Sequence, residues 1–176
     1  MKEIILNKGR LKDDELTDVI EKSRIVLRND DDELVFARFG RVYMLPGGKI
    51  EPGETPVDAV KRELMEETTI NILLDDIEPF AVVYNYLRDY EIEDGSLENR
   101  LVKTYYFSGS TTDDTIEYFN LTQNEKEDNL RGFFIDMEEG IELLQDYNKD
   151  NPRAAYLAVE TLKVLEEYKN LNNEEE

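Results

Sequence analysis

Apolar positions fall into two regimes along the chain. Short runs with β-branched and aromatic residues fill most of the first 135 residues, and longer three-to-four-residue repeats appear at one central place and at the end. "EIILN", Glu3 to Asn7, is a short apolar run that reads as a strand. "LKDDELTDVIEKS" is mixed, with neither period clear. Ile25 to Leu27 and Leu34 to Phe36 flank "NDDDE" and predict a hairpin with a polar turn. "RVYMLPGGKIEPGE" is a short strand running into a glycine- and proline-rich loop. Phe80 to Tyr86 reads as a strand, "EIEDGSLENR" as a polar loop, "RLVKTYYFSGS" as a strand, and "TTDDTIEYFNLTQNEKEDN" as mostly loop before a last short strand in "LRGFFIDM".

Helices are set by caps and by period. Thr55 is placed to cap a helix that has Pro56 at its first position and Asp58 three residues after the cap, running to about Thr68. "EEGIELLQDY" is a second helix. A third follows Asn151-Pro152 over residues 152–170, with Leu157, Thr161, Val164, Leu165 and Tyr168 near one face. Several strands, one central helix and terminal helices, with no repeat and no linker, predict one mixed α/β domain over 1–176. Residues 1–20 read as an N-terminal extension and residues 171–176 as a frayed acidic tail.

Composition narrows the chemistry. Lys plus Arg number 21 against 42 Asp plus Glu, a net charge of −21. That field repels polyanions, so nucleic acid and anionic membranes are disfavoured partners, while small phosphorylated ligands remain compatible if divalent cations bridge them. There is no cysteine and no histidine, which removes disulfides, thiolate or imidazole metal ligands, and Ser–His or Cys–His nucleophiles. Any metal is therefore held by oxygen, which points to Mg²⁺ or Mn²⁺. The opening run is too short for a signal peptide and no segment approaches a membrane span, so the cytoplasm is the expected location.

Within the central helix, Glu63, Glu66 and Glu67 share one face at i, i+3 and i+4, while Val57, Val60 and Leu64 form another, apolar face. Like charges at that spacing cost a few tenths of a kcal/mol per pair in water. Two readings follow: a solvated face in which Arg62 pairs its neighbours, or a docked helix that holds three carboxylates toward a divalent cation.

The preceding loop favours the second. From Gly48 the chain reads glycine, five residues, Glu54, seven residues, Arg62-Glu63-Leu64, one residue, Glu66-Glu67, two residues, Ile70. This resembles the Nudix box of the Nudix hydrolases, G-x5-E-x7-R-E-U-x-E-E-x-G-U, with U a bulky aliphatic. One position departs: Thr69 stands where the family has glycine. The box covers residues 48–70, and the surrounding layout is similar to the family over about Arg24 to Leu144.

The resemblance implies an α/β/α sandwich with a mixed sheet and a catalytic loop-helix. It implies Glu66 and Glu67 as metal ligands, Glu63 as a further ligand or the carboxylate that orients and deprotonates water, and the Gly48 carbonyl as an extra ligand. Glu54 and Arg62 are of opposite charge at loop and helix, and the family role for the pair is a structural clamp. An additional acidic ligand is expected from "LTQNEKEDNL", with Glu125 preferred over Glu127. A glycine at position 69 would suit a left-handed residue past the helix end, so threonine there predicts an altered exit or strain of roughly 1 kcal/mol.

The implied activity is Mg²⁺-dependent hydrolysis of a phosphoanhydride in a nucleoside diphosphate linked to another group. The alternative is a nucleotide-binding sensor that keeps the fold without turnover. Tyr84, Tyr86, Tyr90, Tyr105 and Tyr106 are candidates to stack a nucleobase, with Tyr84 and Tyr86 taken as substrate-binding. The resemblance also allows a homodimer through the first 20 residues or the C-terminal helix.

Overall fold

The computed structural model describes residues 1–40, 42–70, 72, 76–113, 116, 131–147 and 152–174. Eight strands, three α-helices and a single 3-10 turn at Asp13–Glu15 are present among them. The strands and α-helices are β1 (Lys2–Leu6), β2 (Asp18–Arg28), β3 (Leu34–Phe39), β4 (Val42–Met44), β5 (Gly47–Lys49), α1 (Pro56–Thr68), β6 (Ile77–Glu91), β7 (Leu97–Ser110), β8 (Arg131–Ile135), α2 (Met137–Tyr147) and α3 (Pro152–Glu174).

The strands form one mixed sheet in the order β1-β6-β7-β2-β3-β4, with β5 paired to β2 and β8 to β3. β1 runs parallel to β6 and β2 parallel to β7, while β6 and β7 form a long antiparallel hairpin. The segment read as an N-terminal extension thus contributes an edge strand. Half of the polar stretch at 91–100 is ladder: Glu91 and Leu97 to Arg100 lie in β6 and β7, and the turn between them is closed by the Ile92 amide on Ser96 O at 3.0 Å, with Gly95 at φ 83. The turn after Asn29 likewise closes the β2–β3 hairpin, where Arg28 faces Leu34.

β2 organises the site. One edge pairs with β7 along its whole length, and the other is shared between β5, at Lys22 to Arg24, and β3, at Arg28. The sheet forks between them, and the Ile25 amide donates to Pro46 at 3.1 Å in the fork. The stretch read as a glycine-rich loop is therefore partly strand: β5 is built from Gly47, Gly48 and Lys49.

Alternation along β2 separates two cores. Ile25 and Leu27 point to the α1 face, where Val60, Leu64, Ile70 and Phe107 complete a buried cluster. Val26 points the other way, to Leu45, Tyr106, Val164, Leu165 and Tyr168 under α2 and α3. Each fully buried aliphatic side chain of this kind contributes about 1.5–3 kcal/mol. The result is the three-layer α/β/α sandwich with a mixed sheet.

Both ends of α1 follow local chemistry. The Thr55 hydroxyl accepts the Asp58 amide at 3.2 Å and Asp58 Oδ2 accepts the Thr55 amide at 3.4 Å, a closed capping box, with the Thr55 hydroxyl also donating to Asp58 Oδ2 at 2.6 Å. At the other end Thr69 has φ 61 and ψ 2, and its amide donates to Met65 O. The altered exit expected of threonine does not occur. Thr69 takes the left-handed geometry a glycine would take, and its hydroxyl donates to Thr68 O at 2.6 Å.

Candidate active site

Arg62 is the hub of the carboxylate helix. Its Nε and Nη2 donate to the two oxygens of Glu54 at 2.7 and 3.0 Å, a bidentate pair across loop and helix. Nη2 also donates to Lys49 O at 3.1 Å, tying the helix to β5. Nη1 reaches Glu63 Oε1 at 2.9 Å and Glu66 Oε2 at 3.3 Å. The Arg62 guanidinium, helped by the Glu51 amide, holds the Glu54 carboxyl down to about 2.

The three glutamates differ in environment. Glu67 is buried, 6% exposed, and its Oε2 accepts the Gly47 amide at 3.0 Å. Glu63 is partly buried against Gly48, so close that a Cβ at that glycine would collide with its carboxylate. Burial pushes the Glu63 carboxyl above the usual carboxylate range, Arg62 opposes, and the charge of Glu66 adds to the rise. Glu66 is the most open, with a side chain 44% exposed. Glu63 and Glu67 thus pack onto the Gly47-Gly48 dipeptide, and one guanidinium nitrogen touches both Glu63 and Glu66.

Gly47 has φ 128, and a side chain there would strike the Ser23 carbonyl and the Arg24 backbone. Gly48 has an ordinary backbone but no room for a side chain beside Glu63. Among the described residues no three acidic side chains are gathered into a closed metal cage. Arg62 and the Gly47 amide take their charge instead. The donors that border Gly47 and Gly48 are carboxylate and backbone oxygens, the set a hard divalent cation takes.

The other sequence candidates are dispersed. Glu125 and Glu127 lie outside the described residues. Tyr86 donates to Asp13 Oδ1 at 3.0 Å, and the Tyr84 ring lies 5.9 Å from Lys103 Nζ, which also covers Tyr105 at 4.6 Å. Tyr106 is fully buried, with its hydroxyl on Glu160 at 2.8 Å. Tyr90 packs edge-on to Tyr156 at 5.9 Å, because the register shift between Leu87 and Tyr90, with Asp89 at φ 52, changes the face that follows.

Sequence reasoning missed a polar nest beneath α3. Glu160 sits within the apolar stripe of that helix, 1% exposed, and its Oε2 accepts the Asn85 amide at 2.9 Å. Arg24, 3% exposed, donates through Nη1 to Leu45 O. The one signal was alternation: Lys22 and Arg24 occupy the same side of a strand whose neighbours Ile25 and Leu27 are core.

Comparison with known proteins places the fold and the family. An 85-residue stretch is 39% identical to proteins named RNA pyrophosphohydrolase from Pseudomonas putida and Pseudomonas entomophila, covering 46% of this chain and 47% of theirs. The chain therefore spans about half the length of the curated relatives it matches. Among solved structures, the NUDIX domain of Shewanella oneidensis NrtR, crystallised with ADP ribose, matches with a TM-score of 0.60 at 15% identity, over 93% of this chain and 95% of that one. A MutT protein from Bacillus halodurans matches with a TM-score of 0.53 at 20% identity, over 70% and 72%. At such identities the likeness is one of fold. The NUDIX domain model, however, matches residues 22–157, most of the chain and all of the carboxylate helix, and the chain belongs to the NUDIX domain family.

Proposed function

We propose that this chain, as one domain over 1–176, hydrolyses a phosphoanhydride bond in a nucleoside diphosphate joined to a further group. Glu63, Glu66, Glu67 and the Gly48 carbonyl would hold Mg²⁺ or Mn²⁺, with Glu125 or Glu127 a further candidate ligand. The observation that carries this reading is the packing of Glu63 and Glu67 onto Gly47-Gly48, with Glu66 joined to Glu63 through Arg62. A surface face built only for solvation would not bury Glu67 or press Glu63 against a glycine. Such a cation supplies charge neutralisation and Lewis-acid activation of the phosphoanhydride.

The chain's own groups do the rest. Arg62 fixes the angle between the β5 loop and α1 through Glu54 and Lys49 O, so the glutamates meet the glycines in one arrangement. Where it does not ligate the cation, Glu63 is the general base: in a chain without histidine the proton acceptor is a carboxylate, and partial burial raises its affinity for a proton. A water hydrogen-bonded to Glu63 gives up a proton as its oxygen bonds to phosphorus. The bridging P–O bond then breaks, and two phosphate monoesters leave.

The relatives' name supports the pyrophosphate chemistry. The net charge of −21 supports a small nucleotide over a polynucleotide and argues against a membrane partner. Among the described residues no helix is long and apolar enough to cross a membrane, which fits the cytoplasmic placement in this reading. The test is phosphate release from a panel of oxidised nucleotides, dinucleoside polyphosphates, nucleotide sugars and dinucleotide cofactors with Mg²⁺. Glu66→Gln and Glu67→Gln are each expected to cut turnover by orders of magnitude while remaining folded. Near-normal rates in both would refute the assignment, and turnover of none of the panel by the unmodified protein would favour a sensor.

A further inference from the structure

Leu45 and Pro46 lie between the β3–β4 ladder, which ends at Met44, and the β2–β5 ladder, which begins at Gly47. Their carbonyls need partners from outside either register. Pro46 O accepts the Ile25 amide at 3.1 Å, and Leu45 O accepts from Nη1 of Arg24. The next polar group along the chain, the Gly47 amide, donates to Glu67 Oε2 at 3.0 Å. The Leu45 side chain is fully buried in the core beneath α2 and α3. Within three residues the backbone is thus tied to that core, to β2 and to α1.

Arg24 and Gly47 are a matched pair. They face each other in the β2–β5 register. A Cβ at Gly47 would lie 2.7 Å from Arg24 Cα and 3.0 Å from Arg24 Cγ, so the glycine leaves the room that the arginine stem fills. From that position the guanidinium reaches back to Leu45. The side chain lies on the sheet face away from α1, because Ile25 points to the α1 cluster and neighbours along a strand alternate. Arg24 is 3% exposed, and its route to Glu67 runs through the Leu45–Gly47 backbone.

An arginine is an unfavourable choice if this position only fills space. A buried charge loses solvation that hydrogen bonds must restore, and an apolar side chain of similar length packs without that loss. Here the restoration is incomplete. Among the described residues Arg24 Nε is buried without an acceptor, and Glu160, the buried carboxylate of this face, accepts from Tyr106 and Asn85 instead. What the guanidinium supplies, and an apolar chain cannot, is the donor for Leu45 O. Without it that carbonyl is left unpaired in the interior, and the peptide before Pro46 must turn to find another partner.

We propose that Arg24 is a positioning residue for the carboxylate site: by holding the Leu45 carbonyl it fixes the Leu45–Gly47 turn, and so the direction in which the Gly47 amide meets Glu67. Its consequence for turnover rests on the hydrolase reading above, while its consequence for the Gly47 amide does not. Arg24 acts from the far face of the sheet and touches no reacting atom, so its loss acts on kcat and leaves KM in place.

Three substitutions test this. Arg24→Met keeps the stem and removes the donors. Arg24→Lys keeps a donor of similar reach. Arg24→Gln, too short to reach Leu45, replaces the methionine variant if that does not fold. The first readout is hydrogen exchange of the Gly47 amide, followed by NMR and independent of turnover. Arg24→Met is expected to speed it about tenfold or more while amides of the β6–β7 ladder keep their rates. Arg24→Lys is expected to return it to within about threefold of the unmodified protein. The second readout is phosphate release on the best panel substrate, where Arg24→Met should lower kcat about tenfold or more with KM within about twofold, and Arg24→Lys should recover most of the loss. An arginine that serves stability alone would instead speed exchange in both sets of amides together and lower the urea midpoint. That uniform pattern, an unchanged Gly47 amide in Arg24→Met, no recovery in Arg24→Lys, or a raised KM with kcat intact would overturn the proposal. The expected amide pattern with no panel substrate hydrolysed by the unmodified protein would uphold the positioning of Glu67 and count against the hydrolase reading.

Discussion

Gly47 and Gly48 are adjacent, yet the structure assigns them different duties, and alanine separates the two. At Gly48 the backbone is ordinary, and an added methyl meets only the carboxylate end of Glu63, a flexible side chain. Swinging Glu63 off its rotamer costs on the order of 0.5–1.5 kcal/mol. Replacing glycine by alanine where the backbone permits it returns about 0.4–1 kcal/mol through the unfolded chain. The two nearly cancel, so Gly48→Ala is expected to unfold within about 1 kcal/mol of the unmodified protein. Its turnover should fall about 100-fold or more, because a displacement of about 1 Å in a catalytic group costs that much. At Gly47 the methyl would strike the Ser23 carbonyl and the Arg24 backbone at φ 128, where nothing can give way. Gly47→Ala should therefore lose about 3 kcal/mol or more, a backbone clash added to strain of roughly 1–3 kcal/mol. Urea unfolding followed by fluorescence of the tyrosines, with phosphate release on the best panel substrate, measures both. If Gly48→Ala keeps turnover within threefold, or loses stability as Gly47→Ala does, the placement of Glu63 against Gly48 is wrong.

Further outcomes follow from the same contacts. Glu67→Gln keeps an oxygen for the Gly47 amide, so its unfolding midpoint should barely move while nucleotide-dependent Mg²⁺ uptake, read by calorimetry, is lost. Glu160→Leu strands the Tyr106 hydroxyl and the Asn85 amide beneath α3 and should cost about 2–4 kcal/mol in urea unfolding. Thr69→Gly releases left-handed strain of roughly 1–2 kcal/mol but loses a hydroxyl bond and gains chain entropy when unfolded, so its net change should stay under about 1 kcal/mol, with turnover retained. Glu54 is held down to about 2 in the fold against an ordinary 4.5, so its pairing stabilises the protein above pH 4.5 and that contribution fades as pH falls toward 2. The urea midpoints of the unmodified protein and Glu54→Gln should accordingly differ at pH 7 and converge near pH 2; a constant gap would contradict the Arg62–Glu54 clamp.

Local chemistry makes α1 legible in the sequence. Thr55, Pro56 and Asp58 cap it, Val60 and Leu64 give it a buried face, and the spacing from Gly48 to Ile70 marks the loop-helix, because these signals act over a few residues and need no partner elsewhere. The apolar strand segments were legible for the same reason, while β5, the first half of β2 and the strand lengths were not: the β6–β7 ladder, for one, runs through polar residues whose pairing depends on the facing strand. The sequence by itself determined the family, the layers and the helix that gathers three glutamates. Only the tertiary structure decided that Gly47-Gly48-Lys49 is a strand, that Arg62 joins Glu54, Glu63 and Glu66, and that Thr69 bears a glycine's geometry. It alone placed Lys22, Arg24 and Glu160 together under α3, since they are brought in by a strand and a helix more than a hundred residues apart in sequence. A charge in isolation reads as surface, and burial is set by what packs over it.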